Sequence, residues 1–157
     1  MASKTYSFGY NVTIIPAPPV WQPTDTFIVA DYADANSWSS GTRYTSATVG
    51  NLHMIVTPSR NNNGKYYSTQ SGKRWNIGSA AGSCIDIYVP SGKKITSYRI
   101  TYVSYPAANN YKLHLDSYDG TVIESETIYT HDNNHIYLHA GASNENCRIS
   151  SIEVVIE

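Results

Sequence analysis

The chain has 157 residues, a net charge of −1 and 15 % charged residues, well under the ~25 % of an ordinary soluble domain. That length suits one domain with its own core, and the near-neutral balance removes the electrostatic case for nucleic acid or for an anionic membrane surface. Fourteen tyrosines stand against two phenylalanines, a bias toward rings that pack on one side and hydrogen-bond at the tip.

In Met1–Tyr10, Lys4 is followed by alternating polar and aromatic residues instead of an apolar run, so no signal peptide is expected. No window approaches the ~18 apolar residues of a membrane span, so no membrane insertion is expected. Export without cleavage, loss of an export signal and release by lysis as a virion component are the three routes compatible with this. Residues 5–15 alternate and become β-branched, which predicts a strand. Pro16, Pro18, Pro19 and Pro23 then remove backbone donors and impose an extended connector. The expected division is therefore an N-terminal strand and Pro-rich arm over residues 1–25 and a compact body over 26–157. The arm either completes the domain's own sheet or docks on a protein partner.

The body opens with a brief apolar strand, Phe27–Ala30, and one helical turn over Asp34–Trp38 capped by Asp31 or Asp34. Residues 43–49 and 52–57 flank Gly50-Asn51, a two-residue hairpin signal. A turn at Asn61–Gly64 leads to strands over 65–68 and 74–77, parted by Ser71-Gly72. Further strands are expected over 84–89, 95–104, 111–117, 121–129, 135–139 and 147–156, punctuated by Pro-, Gly-, Asp- and Asn-rich turns that include Asp132-Asn133-Asn134. Strands every ~8–12 residues with turns between them predict an all-β antiparallel two-sheet β-sandwich or a barrel. Cys84 and Cys147, both at strand entries, allow one bridge, although a small buried thiol is the ordinary finding at such positions.

Several runs carry a family likeness. These are Phe27–Tyr44, Asn63-Gly64-Lys65-Tyr66-Tyr67, Arg74-Trp75-Asn76-Ile77, Ile85-Asp86-Ile87, Gly92–Tyr102 and Arg148–Val154. In this order the chain resembles a jelly-roll-like β-sandwich domain of extracellular and surface proteins of gut anaerobes, over roughly Thr26 to Glu157. The resemblance implies a two-sheet jelly-roll-like sandwich, often annexed to other modules, with an adhesive or carbohydrate-binding role. The Pro-rich arm and the missing export signal lie outside that pattern. They admit another setting, a bacteriophage virion protein (a capsid decoration or fibre-like subunit) that docks through its arm.

Sugars stack their C–H faces on aromatic rings while planar polar groups take their hydroxyls. Trp38, Tyr66, Tyr67 and Trp75 near Asn61, Asn62, Asn63 and Arg74 supply both kinds of group, as do Tyr105, Asn109, Asn110 and Tyr111 in an expected loop. The expected ligand-binding set is Trp38, Tyr66, Arg74, Trp75, Tyr105, Asn109 and Tyr111. The competing reading places the tryptophans in the core and turns one of the adjacent Tyr66 and Tyr67 inward. His131, Asp132, His135 and His139 tempt a metal reading, but Asn133-Asn134 breaks the helical spacing that would align them. Asp116 and Asp119 beside Gly120 are the candidate for a structural calcium, in competition with a plain turn; no other cofactor is expected. Glu124 and Glu126 share a strand face that reads as solvated, and no nucleophile elbow, phosphate loop or dinucleotide fingerprint is present. The expectation is a non-catalytic module that holds a glycan or polysaccharide at a cell or particle surface.

Overall fold

A computed structural model describes residues 19–59, 64–69, 72–78, 82–103, 112–141 and 146–157. In chain order its elements are β1 (Asp25–Ile28), α1 (Val29–Ala35), β2 (Ser46–Val49), β3 (Leu52–Thr57), β4 (Lys65–Thr69), β5 (Gly72–Gly78), β6 (Cys84–Tyr88), β7 (Ile95–Tyr102), β8 (Leu113–Leu115), β9 (Ile128–Asn133), β10 (His135–Ala140) and β11 (Cys147–Ile156). Sheet A runs β4-β5-β11-β7-β9, with β1 also paired to β11, and sheet B runs β2-β3-β6-β10-β8. All pairings are antiparallel. Apart from the hairpins β2–β3 and β4–β5, each successive strand crosses to the other sheet. The result is the expected all-β two-sheet sandwich, wound in a jelly-roll-like manner.

Period-two alternation produces the layers. Leu52, Met54 and Val56 of β3, Ile85 and Ile87 of β6, and Ile136, Leu138 and Ala140 of β10 all point inward and are buried. They meet Trp75, Ile77, Tyr98, Ile100, Ile149, Ile152 and Val154 of sheet A. Alternation fails at Ser150-Ser151, where two polar residues occur in a row. A bulge between Ile149 and Ser151 restores the inward parity for Ile152. The β2–β3 loop is the expected Gly50-Asn51 pair, and Gly50 takes φ +57, as the first position of a II′ turn requires. A Cβ there would run into the Asp25 carboxylate.

Three expectations about the elements are corrected. Residues 121–129 do not form a strand: Val122 makes a single bridge to His114, and the chain turns at Glu126, φ +59. β9 instead begins at Ile128 and continues through Asp132 and Asn133, which were expected as a turn. The corner narrows to Asn134, whose N–H donates to Asn133 Oδ1 at 2.7 Å. Likewise the strand expected over 27–30 ends at Ile28, because Val29 and Ala33, one helical turn apart, both bury their side chains as α1.

The strand expected over 5–15 lies outside the described residues. The described end of the arm rests on sheet A. Trp21 Nε1 donates to Ser97 Oγ at 2.8 Å, with its ring over the Arg99 guanidinium at 4.8 Å. Thr24 N–H donates to the Val154 carbonyl at 2.8 Å, and the expected boundary after residue 25 falls inside β1. Cys84 and Cys147 are free thiols: Cys147 is enclosed in sheet A and Cys84 half-buried on sheet B. Among the described residues no helix is long and apolar enough to cross a membrane.

Candidate functional site

Trp38, Tyr66 and Trp75 come together, but as interior. α1 ends in a Schellman arrangement: Trp38 N–H donates to the Ala33 carbonyl at 2.8 Å and Ser37, in the left-handed region at φ +55, donates to Asp34 O at 3.4 Å. That turn drops the Trp38 ring against Tyr44, stacked at 4.2 Å and 5°, with Tyr32, Tyr66 and Trp75 edge-on around it at 5.3, 5.9 and 5.4 Å. Phe27 closes the group against Trp75 at 5.7 Å. Trp75 is 0 % and Tyr66 2 % exposed, and the indole N–H is spent on the Tyr44 and Gly64 carbonyls at 3.0 and 3.1 Å. A ring closed in on both faces offers nothing for a sugar to stack on. The platform expected at Tyr66 and Trp75 is thus corrected to core, and Trp38 is the half-buried plug above it.

Arg74 is committed locally. Its Nη1 donates to Thr69 Oγ1 at 2.7 Å and to the Gly72 carbonyl at 3.3 Å, and its guanidinium lies over the Tyr67 ring at 5.2 Å. Burial first, then the charge of Arg148, lowers its pKa from the ordinary arginine value. Tyr105, Asn109 and Tyr111, like Asn61, Asn62 and Asn63, lie outside the described residues. Asp119 accepts a hydrogen bond from Ser117 Oγ at 2.8 Å within the turn before Gly120, and Glu124 pairs with Lys112 Nζ at 2.7 Å. His131 belongs to sheet A while His135 and His139 belong to sheet B. Among the described residues no three His, Cys, Asp or Glu side chains gather as metal ligands.

An array that sequence reasoning missed lies on the outer face of sheet B. With Leu52, Ile87 and Ile136 turned inward, alternation sends His53, Tyr88 and His135 outward. Register then aligns them across three strands, His53 with Tyr88 and Tyr88 with His135. Their rings are near-parallel: His53–Tyr88 at 5.1 Å and 17°, Tyr88–His135 at 5.3 Å and 16°, and His135–Tyr137 at 5.5 Å and 8°. The four rings therefore form a near-parallel row across the face, with Tyr137 exposed at its end.

Polar groups frame the rings. Thr48 Oγ1 lies 3.2 Å from His53 Nδ1, and His135 Nδ1 lies 3.0 Å from Asp86 Oδ1. Asp86 sits in register between Ile55 and Tyr137, which are 41 % and 45 % exposed. The next row holds Thr57, Cys84, His139 and His114. Around Ile55 and Tyr137 the face is exposed. The sequence held only a partial sign of it: β6 and β10 alternate aliphatic residues with Asp, Tyr or His, whereas β3 turns His53, Ile55 and Thr57 outward. Pairing partners were needed to bring those residues into one strip.

Concavities among the described residues lie elsewhere. One of about 350 Å³, at the sandwich end, is lined by Gly92, Lys93, Lys94, Asp132, Asn133 and Asn134. A hydrogen bond from Lys94 at 2.8 Å holds the Asp132 carboxyl below its ordinary value. Another, of about 300 Å³, runs beside α1 between Ile28, Tyr32 and Val49. No family model, curated protein or solved structure matches the chain.

Proposed function

We propose that the protein is a non-catalytic binding module that takes a polysaccharide across the outer face of sheet B, at a cell or particle surface. The observation that carries this reading is the near-parallel ring strip His53–Tyr88–His135–Tyr137 with Asp86, Thr48 and Ser46 beside it. Partly open ring faces suit the C–H surface of a pyranose, and the carboxylate, imidazoles and hydroxyls supply acceptors and donors for its hydroxyls. An open strip crossing three strands suits an extended chain better than a small metabolite, which calls for concave burial. The strands hold these side chains on a packed core, so little ordering is lost when a ligand arrives.

Affinity electrophoresis in native gels containing xylan, galactan, mannan, dextran or acidic polysaccharides tests this. At least one polymer should retard the protein. Tyr88→Ala and Tyr137→Ala should each weaken retardation by about tenfold or more, as loss of a central anchor does, with near-native melting. Retardation unchanged in both variants, or no retardation by any polymer, would overturn the reading.

A further inference from the structure

Permanent and switchable charge are divided between the two sheets. The strands of sheet A carry Lys65, Lys73, Arg74, Arg99, Arg148, Asp132 and Glu153 among others. The strands of sheet B carry neither Lys, Arg nor Glu. Their ionisable side chains, apart from Tyr and Cys84, are Asp86 and four histidines out of the five in the chain, His53, His114, His135 and His139. All five lie on the outer face.

We propose that the ligand of this face is a carboxylate-bearing polysaccharide, captured in mildly acidic surroundings. The proposal rests on the polysaccharide reading above and names its chemical class. Imidazole is the side chain whose ordinary charge change falls near neutral pH, at about 6.5, and the strands of this face carry four imidazoles against one carboxylate, Asp86.

The neighbours of each imidazole are compatible with this change. His53 is flanked by Thr48 and Tyr88, neither of them charged at these pH values. His135 meets Asp86 and Tyr88, with His131 Nε2 at 2.7 Å from its carbonyl oxygen. His139 lies in register with Cys84 and His114, and His114 Nδ1 is 3.2 Å from the Gly120 carbonyl. Past β8 Lys112 pairs with Glu124, and the chain leaves β8 at Asp116, beside Tyr137. A uronate can therefore lay its ring on Tyr88 or Tyr137 and set its carboxylate between imidazolium groups. A neutral sugar gains nothing from protonation.

The whole protein also turns cationic below its isoelectric point of about 6.5, so pH dependence alone is insufficient. The experiment is affinity electrophoresis and titration calorimetry with polygalacturonate, alginate and hyaluronate, each beside its methyl-esterified form, at about pH 5.5 and about pH 7.5, either side of the imidazole value. At least one acidic polymer should bind about tenfold or more tightly at the lower pH, and its ester should lose that gain. His53→Phe, which keeps a ring and removes the proton, together with His139→Gln should abolish the gain, read as the ratio of affinities at about pH 5.5 and about pH 7.5 for the same variant. A pH gain that survives these substitutions, or that the ester shares, overturns the proposal. Binding of neutral polymers to the strip at a pH-independent affinity also overturns it and leaves the polysaccharide reading standing. Binding of no polymer at all removes both.

Discussion

Phe27, Tyr32, Trp38, Tyr44, Tyr66 and Trp75 meet under the turn after α1, mostly edge to face, whereas His53, Tyr88, His135 and Tyr137 stand near-parallel in a row across sheet B. Three rings of the first group, Phe27, Tyr66 and Trp75, and all four of the second lie in strands, so strand character does not separate them. Cover separates them. The first group lies at the margin of sheet A where β1 passes into α1 and the loop to Tyr44 folds back, sealing the inner side of β5. The second lies on a face where, among the described residues, its rings stay partly or largely exposed. Rings with many neighbours become structure, and rings with a free side are available to a ligand.

The largest expected difference is in stability. Trp75→Ala removes a fully enclosed indole and leaves the Tyr44 and Gly64 carbonyls without their donor, and large-to-small changes of this kind cost about 3–5 kcal/mol. The urea midpoint should fall accordingly at an unchanged slope. A loss under about 1 kcal/mol would mean that Trp75 is not part of the packed core.

This division explains what could be read from the sequence. Leu52–Thr57, Cys84–Tyr88 and Cys147–Ile156 declare themselves by alternation and β-branching, and Gly50-Asn51 by its turn chemistry, so the sandwich was legible. Whether Trp38 and Trp75 face in or out was not, because that depends on the Schellman turn at Ser37, which aims Trp38 inward. Nor did spacing reveal the strip. His53, Tyr88 and His135 are far apart in the chain and become neighbours only through the order β3-β6-β10, set by crossovers between sheets. The strand misread over 121–129 shows the same limit: β-rich composition does not disclose the reversal at Glu126.

The buried side should also respond to alkali. Burial pushes the Cys147 thiol up to about 12, against an opposing hydrogen bond from the Gly141 backbone, and also raises the Tyr98 and Tyr102 phenols. In the unfolded chain these groups ionise from their ordinary values of 9.0 and 10.0. Between those values and the raised ones the folded state holds protons that the unfolded state has released, so stability is complete below about pH 9 and declines above it. Urea midpoints measured from pH 8 upward should fall, and Cys147→Ala should make the decline shallower. A flat profile to pH 11 would contradict the enclosure of these groups. Of the two thiols, half-buried Cys84 should react with an alkylating reagent in the native protein, and Cys147 only after unfolding.

Truncation on the open face should cost much less. Tyr137 is 45 % exposed and its ring partner among the described residues is His135, so Tyr137→Ala should lower stability by under about 1 kcal/mol, the worth of a single stacked pair with modest burial. Thermal unfolding measured beside Trp75→Ala gives the contrast directly. A loss comparable to that of Trp75→Ala would make the strip structural and remove its availability to a ligand.

The smallest effect has the opposite sign. Ser37 holds φ +55 so that Trp38 can reach the Ala33 carbonyl, a conformation costing a side-chain-bearing residue about 1 kcal/mol and glycine little. The backbone N–H groups of Ser37 and Trp38 make the cap, and a glycine keeps both. Ser37→Gly should therefore stabilise the protein by about 0.5–1 kcal/mol, somewhat offset by the greater freedom of glycine in the unfolded chain. Since Ser37 stands at the hinge that delivers Trp38, the same substitution should leave Trp38 fluorescence native-like. A destabilised variant with red-shifted emission would show that the Ser37 side chain, and not the left-handed turn, places the plug.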